Sequence, residues 1–79
     1  MSKIVRTLRM IHRLHCLIRR RATGGPESLA AKFGVSPAPV FRLLRMLQYE
    51  FGAPVAFDPQ RQSYYYTEEF EFDLNAVIF

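Results

Sequence analysis

Three side chains in the first part of the chain, His12, His15 and Cys16, have the spacing of metal ligands on a helix. Side chains at positions i, i+3 and i+4 of a helix lie on one side, and zinc binds histidine and cysteine. His15, however, falls within a stripe of apolar residues, and no fourth ligand follows at a suitable spacing. We therefore expect a core histidine with one satisfied ring nitrogen, and we expect neither a metal nor a cofactor.

The remaining reactive residues support no enzymatic chemistry. Cys16 has no second cysteine with which to form an internal disulfide, which is typical of a reducing compartment, and a redox role is not favoured. The sequence contains no Ser/His/Asp set, no glycine loop for phosphate and no paired acids near a histidine. We predict that the chain is not an enzyme.

The arginines indicate a polyanionic partner. Arg42 and Arg45 lie three residues apart, off the apolar stripe of a predicted helix, and a guanidinium grips guanine or phosphate through two parallel hydrogen bonds. Residues 1–49 carry ten lysines and arginines against one glutamate, a net charge of +9, whereas residues 50–79 carry one arginine against six acids, a net −5. The alternative is that these charges only solvate exposed faces. The sharp segregation favours a polyanion at the first segment, and we expect the acidic segment to lie away from it or to contact another protein.

Three predicted helices position these side chains. Apolar residues at helical spacing predict a first helix from Lys3 to Arg21, which Gly24-Gly25 ends. A second helix is predicted from about Pro26 to Phe33, and a third from about Pro37 to Tyr49. The apolar stripe of the first helix comprises Ile4, Leu8, Ile11, Leu14, His15 and Ile18.

The connection between the second and third helices is typical of a helix-turn-helix. Ala30 is small enough to let the helices cross closely, and Gly34 suits the left-handed residue that follows the second helix. We expect Ser36 to cap the third helix and Pro37 to occupy its first position. The second helix of such a motif lies in the DNA major groove; the alternative is two core helices joined by a glycine turn. The residues of the third helix that are predicted to face inward are Val40, Leu43, Leu44 and Leu47.

A β-hairpin is predicted after the helices. Val55 to Phe57 has strand character, Asp58-Pro59 opens a type I turn, and the tyrosine-rich run from Ser63 to Thr67 reads as the second strand. Alternation places Tyr65 on the face opposite its two tyrosine neighbours, which favours a hairpin core over a base-stacking platform. Three helices followed by a hairpin form an α+β winged helix-turn-helix domain over residues 1–67, with the hairpin as the wing and residues 58–62 as the wing tip.

Residues 68–79 form an acidic-aromatic tail. Apolar residues alternate with acids from Phe70 to Leu74, as in a half-buried strand, and the tail finishes on Val77, Ile78 and Phe79. Three accounts are open: the tail packs on the hairpin, it pairs with a second copy, or the chain is one piece of a longer protein. An exposed aromatic edge strand invites pairing, so we expect a homodimer through this tail or through the first helix.

Length and hydropathy bound the class of protein. Seventy-nine residues make one small domain with little room for an enclosed pocket, and no small-molecule ligand is evident. No apolar run approaches the length of a membrane span, and no secretory signal follows Met1. We expect a cytoplasmic protein with no membrane partner, associated with the nucleoid when it is bound to DNA.

Residues 8–67 resemble the N-terminal winged helix-turn-helix of DeoR-type and WYL-type bacterial transcription regulators, and most of all small stand-alone proteins of that type. The likeness rests on an Arg/Leu-rich first helix, a Leu-Ala pair, Gly-Val-Ser, a recognition helix, Gly-x-Pro-Val and a tyrosine-rich wing. It implies a regulator that binds double-stranded DNA. The matching residues are Arg13, Leu14, Ile18, Leu29, Ala30, Gly34, Val35, Ser36, Val40, Phe41, Arg42, Leu43, Leu44, Gly52, Ala53, Pro54, Val55 and Tyr64 to Tyr66.

The chain departs from this family at two places in the third helix. Ala38-Pro39 stands where the family has a basic residue and a threonine, and Arg42-Leu43 stands where it has Arg-Asp. Threonine usually donates a hydrogen bond to a phosphate or a base, whereas proline has no donor. The departures remove polar readers from the helix tip, so arginine becomes the main expected source of affinity.

The predicted DNA contacts come from all three helices and the wing tip. Helix 37–49 is expected in the major groove and the wing tip on the flank; the alternative is a winged-helix module for protein–protein assembly with weak or non-specific DNA binding. Two roles are open to Phe41, a contact with a thymine methyl group or packing against the wing. The complete set is Ser36, Ala38, Phe41, Arg42, Arg45, Lys32, Arg19, Arg20, Arg21, Gln60, Arg61 and Gln62.

Overall fold

A computed structural model describes residues 2–71 of the protein. Three helices precede a two-stranded antiparallel sheet, so the predicted α+β order of a winged helix is confirmed. The elements are α1 (Lys3–Arg19), α2 (Pro26–Phe33), α3 (Pro37–Tyr49), β1 (Val55–Asp58) and β2 (Ser63–Tyr66).

Helix α1 ends at Arg19, two residues before the predicted end, and the glycine pair does not end it. Arg21 adopts a left-handed backbone with a φ of 52°. The N–H groups of Arg21 and Ala22 donate to the carbonyls of Ile18 and Leu17, each at 3.0 Å. This is the Schellman arrangement, which usually has glycine at the left-handed position. The prediction was wrong because Arg21, and not the glycine pair, takes the left-handed conformation that ends the helix.

The turn between α2 and α3 forms as predicted. Gly34 has a φ of 67°, and the Val35 N–H donates to the Ala30 carbonyl at 3.0 Å. Ser36 occupies the N-cap position of α3, but its side chain accepts no capping hydrogen bond, so that prediction was wrong. An N-cap oxygen accepts from the second or third helical N–H. Pro39, the third residue of α3, has no N–H to donate, which leaves the N–H of Ala38 as the one possible donor, and Ser36 does not accept from it.

The core lies between the three helices. Ile11, Leu14 and Ile18 of α1 are completely buried, and all four residues predicted to face inward from α3 are buried. The apolar stripe of α1 extends beyond this core, however, since Leu8 is only half-buried and Ile4 is 73% exposed. Ile4 was predicted to be inside. Ile4 lies on the first turn of α1 and borders a groove. Among the described residues, Met46 is the one residue outside α1 that lines this groove.

The hairpin pairs Val55 with Tyr66 and Asp58 with Ser63, with residues 59–62 forming the turn. The Asp58 carboxylate accepts the N–H groups of Gln60 and Arg61 at 2.9 and 3.3 Å, which fixes the turn. β1 is one residue longer and β2 one residue shorter than predicted.

A buried polar cluster joins the α1–α2 connection to β2. Thr23 is completely buried, and its N–H donates to the Ser63 hydroxyl at 3.2 Å. The Thr23 hydroxyl accepts the Tyr64 N–H at 2.9 Å. The Thr23 Oγ1 atom lies 3.1 Å from Ser63 Oγ. These contacts link residues about forty positions apart and hold the wing against the helices. We call the side chains of Thr23 and Ser63 the Thr–Ser clasp.

Candidate nucleic-acid interface

The side of α3 that faces away from the core carries the principal predicted contacts. Ala38, Phe41, Arg42 and Arg45 are all exposed, whereas Val40 and the leucines on the opposite side are buried. An amphipathic helix of this kind offers one complete face to a ligand. We call these four exposed residues the α3 face; the structure brings them together, as the sequence predicts.

The wing tip borders the same surface. Gln62 lines a groove of about 580 Å³ together with Pro37 and Phe41 of α3 and residues 25–28 at the start of α2. The Gln62 side chain lies close to Gly25, where a Cβ atom would be 3.6 Å from Gln62 Oε1. Gln60 and Arg61 are exposed beside it. The beginnings of α2 and α3 and the wing tip thus enclose one continuous groove.

The beginning of α3 presents few hydrogen-bond donors. Pro37 and Pro39 have no N–H, so Ala38 supplies the one backbone N–H of these three residues. Ser36 is exposed, and its hydroxyl is not used as a cap. Glu27 lines the groove and places a negative charge beside it, which opposes the binding of phosphate.

Lys32 has a structural role that the sequence did not reveal. Its ammonium donates hydrogen bonds to the carbonyls of Ala22 and Thr23 at 3.0 and 2.9 Å. Lys32 thereby provides a donor for two backbone carbonyls in the segment that follows α1. The partners are ten and nine residues away in sequence, and no local pattern marks such a contact. Its predicted phosphate contact stays a prediction.

The arginines at the end of α1 lie beside acidic residues. Arg19 and Arg21 line a cavity of about 340 Å³ together with Glu68 and Glu69. The Arg21 guanidinium also lies 4.8 Å from the ring centroid of Tyr65, in cation–π geometry. The sequence assigned phosphate contacts to Arg19, Arg20 and Arg21 and expected the acidic segment to lie away from phosphate. The structure places Arg19 and Arg21 beside the acidic segment. A phosphate bound by these two arginines would therefore lie close to acidic residues, so the two expectations conflict.

His15 is a buried histidine that ties α1 to the wing. It is 4% exposed, and its Nδ1 lies 2.7 Å from the Tyr66 hydroxyl, as expected for a core histidine with a satisfied nitrogen. Burial lowers the pKa of His15, nearby Arg19 and His12 lower it further, and Glu71 opposes them. Burial also raises the pKa of Tyr66. Both groups are therefore held in their neutral forms at neutral pH.

Residues 2–71 contain no cluster of three or more His, Cys, Asp or Glu side chains arranged to hold a metal ion. Over the same residues, no helix is both long and apolar enough to cross a membrane. Comparisons with protein-family models, with curated proteins and with solved structures return no match to this chain.

Proposed function

We propose that this chain is a bacterial, cytoplasmic transcription regulator that binds double-stranded DNA. In this proposal α3 enters the major groove, and the wing tip contacts the flanking backbone. The observation that carries it is the α3 face, where Arg42 and Arg45 are exposed on the same helix as Phe41, which lines a groove that the wing tip borders. The resemblance of residues 8–67 to DeoR-type and WYL-type regulators supports the same function.

Electrostatics supports the choice of a nucleic acid over a neutral partner. The net charge of +9 over residues 1–49 covers all three helices. Lysine and arginine neutralise phosphates, and the release of counterions then gives an affinity that falls with added salt. With few donors at the tip of α3, we expect most of the affinity to come from this source.

The test is binding of the full chain to duplex DNA over a salt series, measured by fluorescence anisotropy. Log affinity falls with log salt, and each phosphate contact makes this slope steeper by about 0.9. Arg42→Glu/Arg45→Glu should therefore make the slope shallower by about 1.8 and weaken binding. The matched control, Arg6→Glu/Arg9→Glu, makes the same change in charge at the same spacing on α1. An affinity insensitive to both salt and reversal of Arg42 and Arg45 would refute the proposal.

A second candidate function, assembly with a second copy of the chain, is favoured by the first turns of α1. Ile4 is 73% exposed. Ile4 and Leu8 border an apolar groove of about 360 Å³ with Met46. A continuous apolar surface of this kind typically marks an interaction site. The alternative route to a dimer, through the tail, falls largely on residues 72–79, which lie outside the described residues.

Measurement of molar mass over a concentration series tests this assembly. Ile4→Lys should shift the protein towards a monomer, since it places a charge in the apolar surface. Val5→Lys is the control, because Val5 is also exposed and apolar but does not line the groove. A wild type that stays monomeric at high concentration would exclude this candidate.

A further inference from the structure

The α3 face combines two kinds of side chain. Ala38 and Phe41 are apolar, whereas Arg42 and Arg45 are cationic hydrogen-bond donors. None of the four has an amide or a carboxylate. Phe41 is 44% exposed, although a phenylalanine is more often buried in a core.

This composition limits which base edges α3 can recognise. Adenine is usually read by asparagine or glutamine, and cytosine by a carboxylate, and the α3 face has none of these groups. Guanine is read by arginine, and the C5-methyl group of thymine is read by apolar contact with residues such as alanine and phenylalanine. The α3 face therefore matches the major-groove edges of thymine and guanine.

Phe41 lies at the surface between two grooves. It borders the groove at the wing tip on one side. On the other side it borders a groove of about 260 Å³, which Phe57 and Tyr64 of the wing also line. The ring thus stands between two open grooves instead of filling one of them. Arg45, one helical turn further along α3, lines the second groove together with Phe41.

We infer that the protein discriminates DNA sites by the C5-methyl group of thymine, with Phe41 as the residue that contacts it. Arg42 and Arg45 hold the adjoining guanine or phosphates. This inference rests on the proposed DNA-binding function, and it adds to that function the chemical group that is read. Specificity then comes from apolar contact, despite the loss of polar readers at Ala38 and Pro39.

In the first step, duplexes that bind the full chain are selected from a pool with a random central sequence. An enriched duplex is then synthesised with thymidine and with deoxyuridine, which lacks only the methyl group. Wild type should bind the deoxyuridine duplex about four-fold more weakly for each methyl group contacted. Phe41→Ala should weaken binding to the thymidine duplex and bring the ratio of the two affinities close to one.

Tyr49→Ala is the matched control, since it removes an 81% exposed aromatic ring from the far end of α3. It should keep the ratio of wild type, and thermal melting shows whether each variant is folded. Equal affinity of wild type for both duplexes, failure of any sequence to enrich, or a folded Phe41→Ala variant that keeps the ratio would each overturn the inference. In those cases salt-dependent DNA binding would leave the proposed function standing, whereas no DNA binding at all would overturn both.

Discussion

Removal of the Thr23 hydroxyl should destabilise the whole domain. Thr23→Val keeps the shape of a completely buried side chain but leaves the Tyr64 N–H without its acceptor at 2.9 Å. A buried donor without a partner costs about 1–3 kcal/mol, so we expect a loss of about 2 kcal/mol in the free energy of unfolding. In a domain of this size such a loss lowers the melting temperature by about 8–16 °C.

The assay is thermal and urea unfolding of wild type, Thr23→Val, Ser63→Ala and the double variant. Ser63→Ala removes the acceptor of the Thr23 N–H, so it should have a cost of similar size. Because the two side chains contact each other, the double variant should lose less than the sum, by about 0.5–3 kcal/mol. Thr67→Val, the same change at an exposed residue at the base of the wing, is the control.

Two results would contradict the stabilising role of the Thr–Ser clasp as a pair. One is a Thr23→Val variant that loses no more stability than Thr67→Val. The other is a double variant whose loss equals the sum of the single losses. The first result would mean that the wing is held by its apolar contacts alone, and the second would mean that Thr23 and Ser63 stabilise it independently of each other.

Three further predictions concern the loop before α2, the groove and the buried histidine. Gly24→Ala should destabilise by more than about 1 kcal/mol, because φ is +74° and a Cβ would lie 2.6 Å from a serine hydroxyl oxygen, whereas Gly25→Ala meets only an ordinary contact and should lose less in the same urea titration. Glu27→Gln should tighten duplex binding at low salt, with a gain that shrinks as salt is added. Because the pKa of His15 is lowered from 6.5 by burial, the unfolded chain takes up the proton first, so stability should fall as pH drops from about 6.5 towards the folded pKa. Urea titrations from about pH 7.5 to pH 5 should show this fall in wild type and in His12→Gln, but much less of it in His15→Gln.

The helices and the hairpin could be predicted from the sequence because their signals are local. Apolar spacing gave the extent of α2 and α3, and Gly34 marked the turn between them. The end of α1 escaped prediction because Arg21 adopts a left-handed conformation that is usual for glycine. The cap at Ser36 does not form: Pro39 removes one of the two possible donors, and the Ser36 hydroxyl does not accept from the other, the N–H of Ala38.

The α3 face was also predictable, since it is the complement of a buried stripe on a regular helix. What could not be predicted was the set of contacts between distant parts of the chain. The role of Lys32 and the pairing of Thr23 with Ser63 depend on residues that approach only after folding. The exposure of Ile4 likewise depends on where the neighbouring helix lies, which periodicity does not encode.

The long sequence separation between α1 and β2 has a consequence for the order of folding. Helices α2 and α3 are neighbours in sequence, as are the two strands, so each pair forms by closing a short loop. The contact of His15 with Tyr66 closes a loop of fifty-one residues, and its entropic cost is therefore larger than that of the two short loops. We expect docking of the hairpin on α1 to be the late step in folding, and the slowest amide hydrogen exchange to occur in the helical core rather than in the strands.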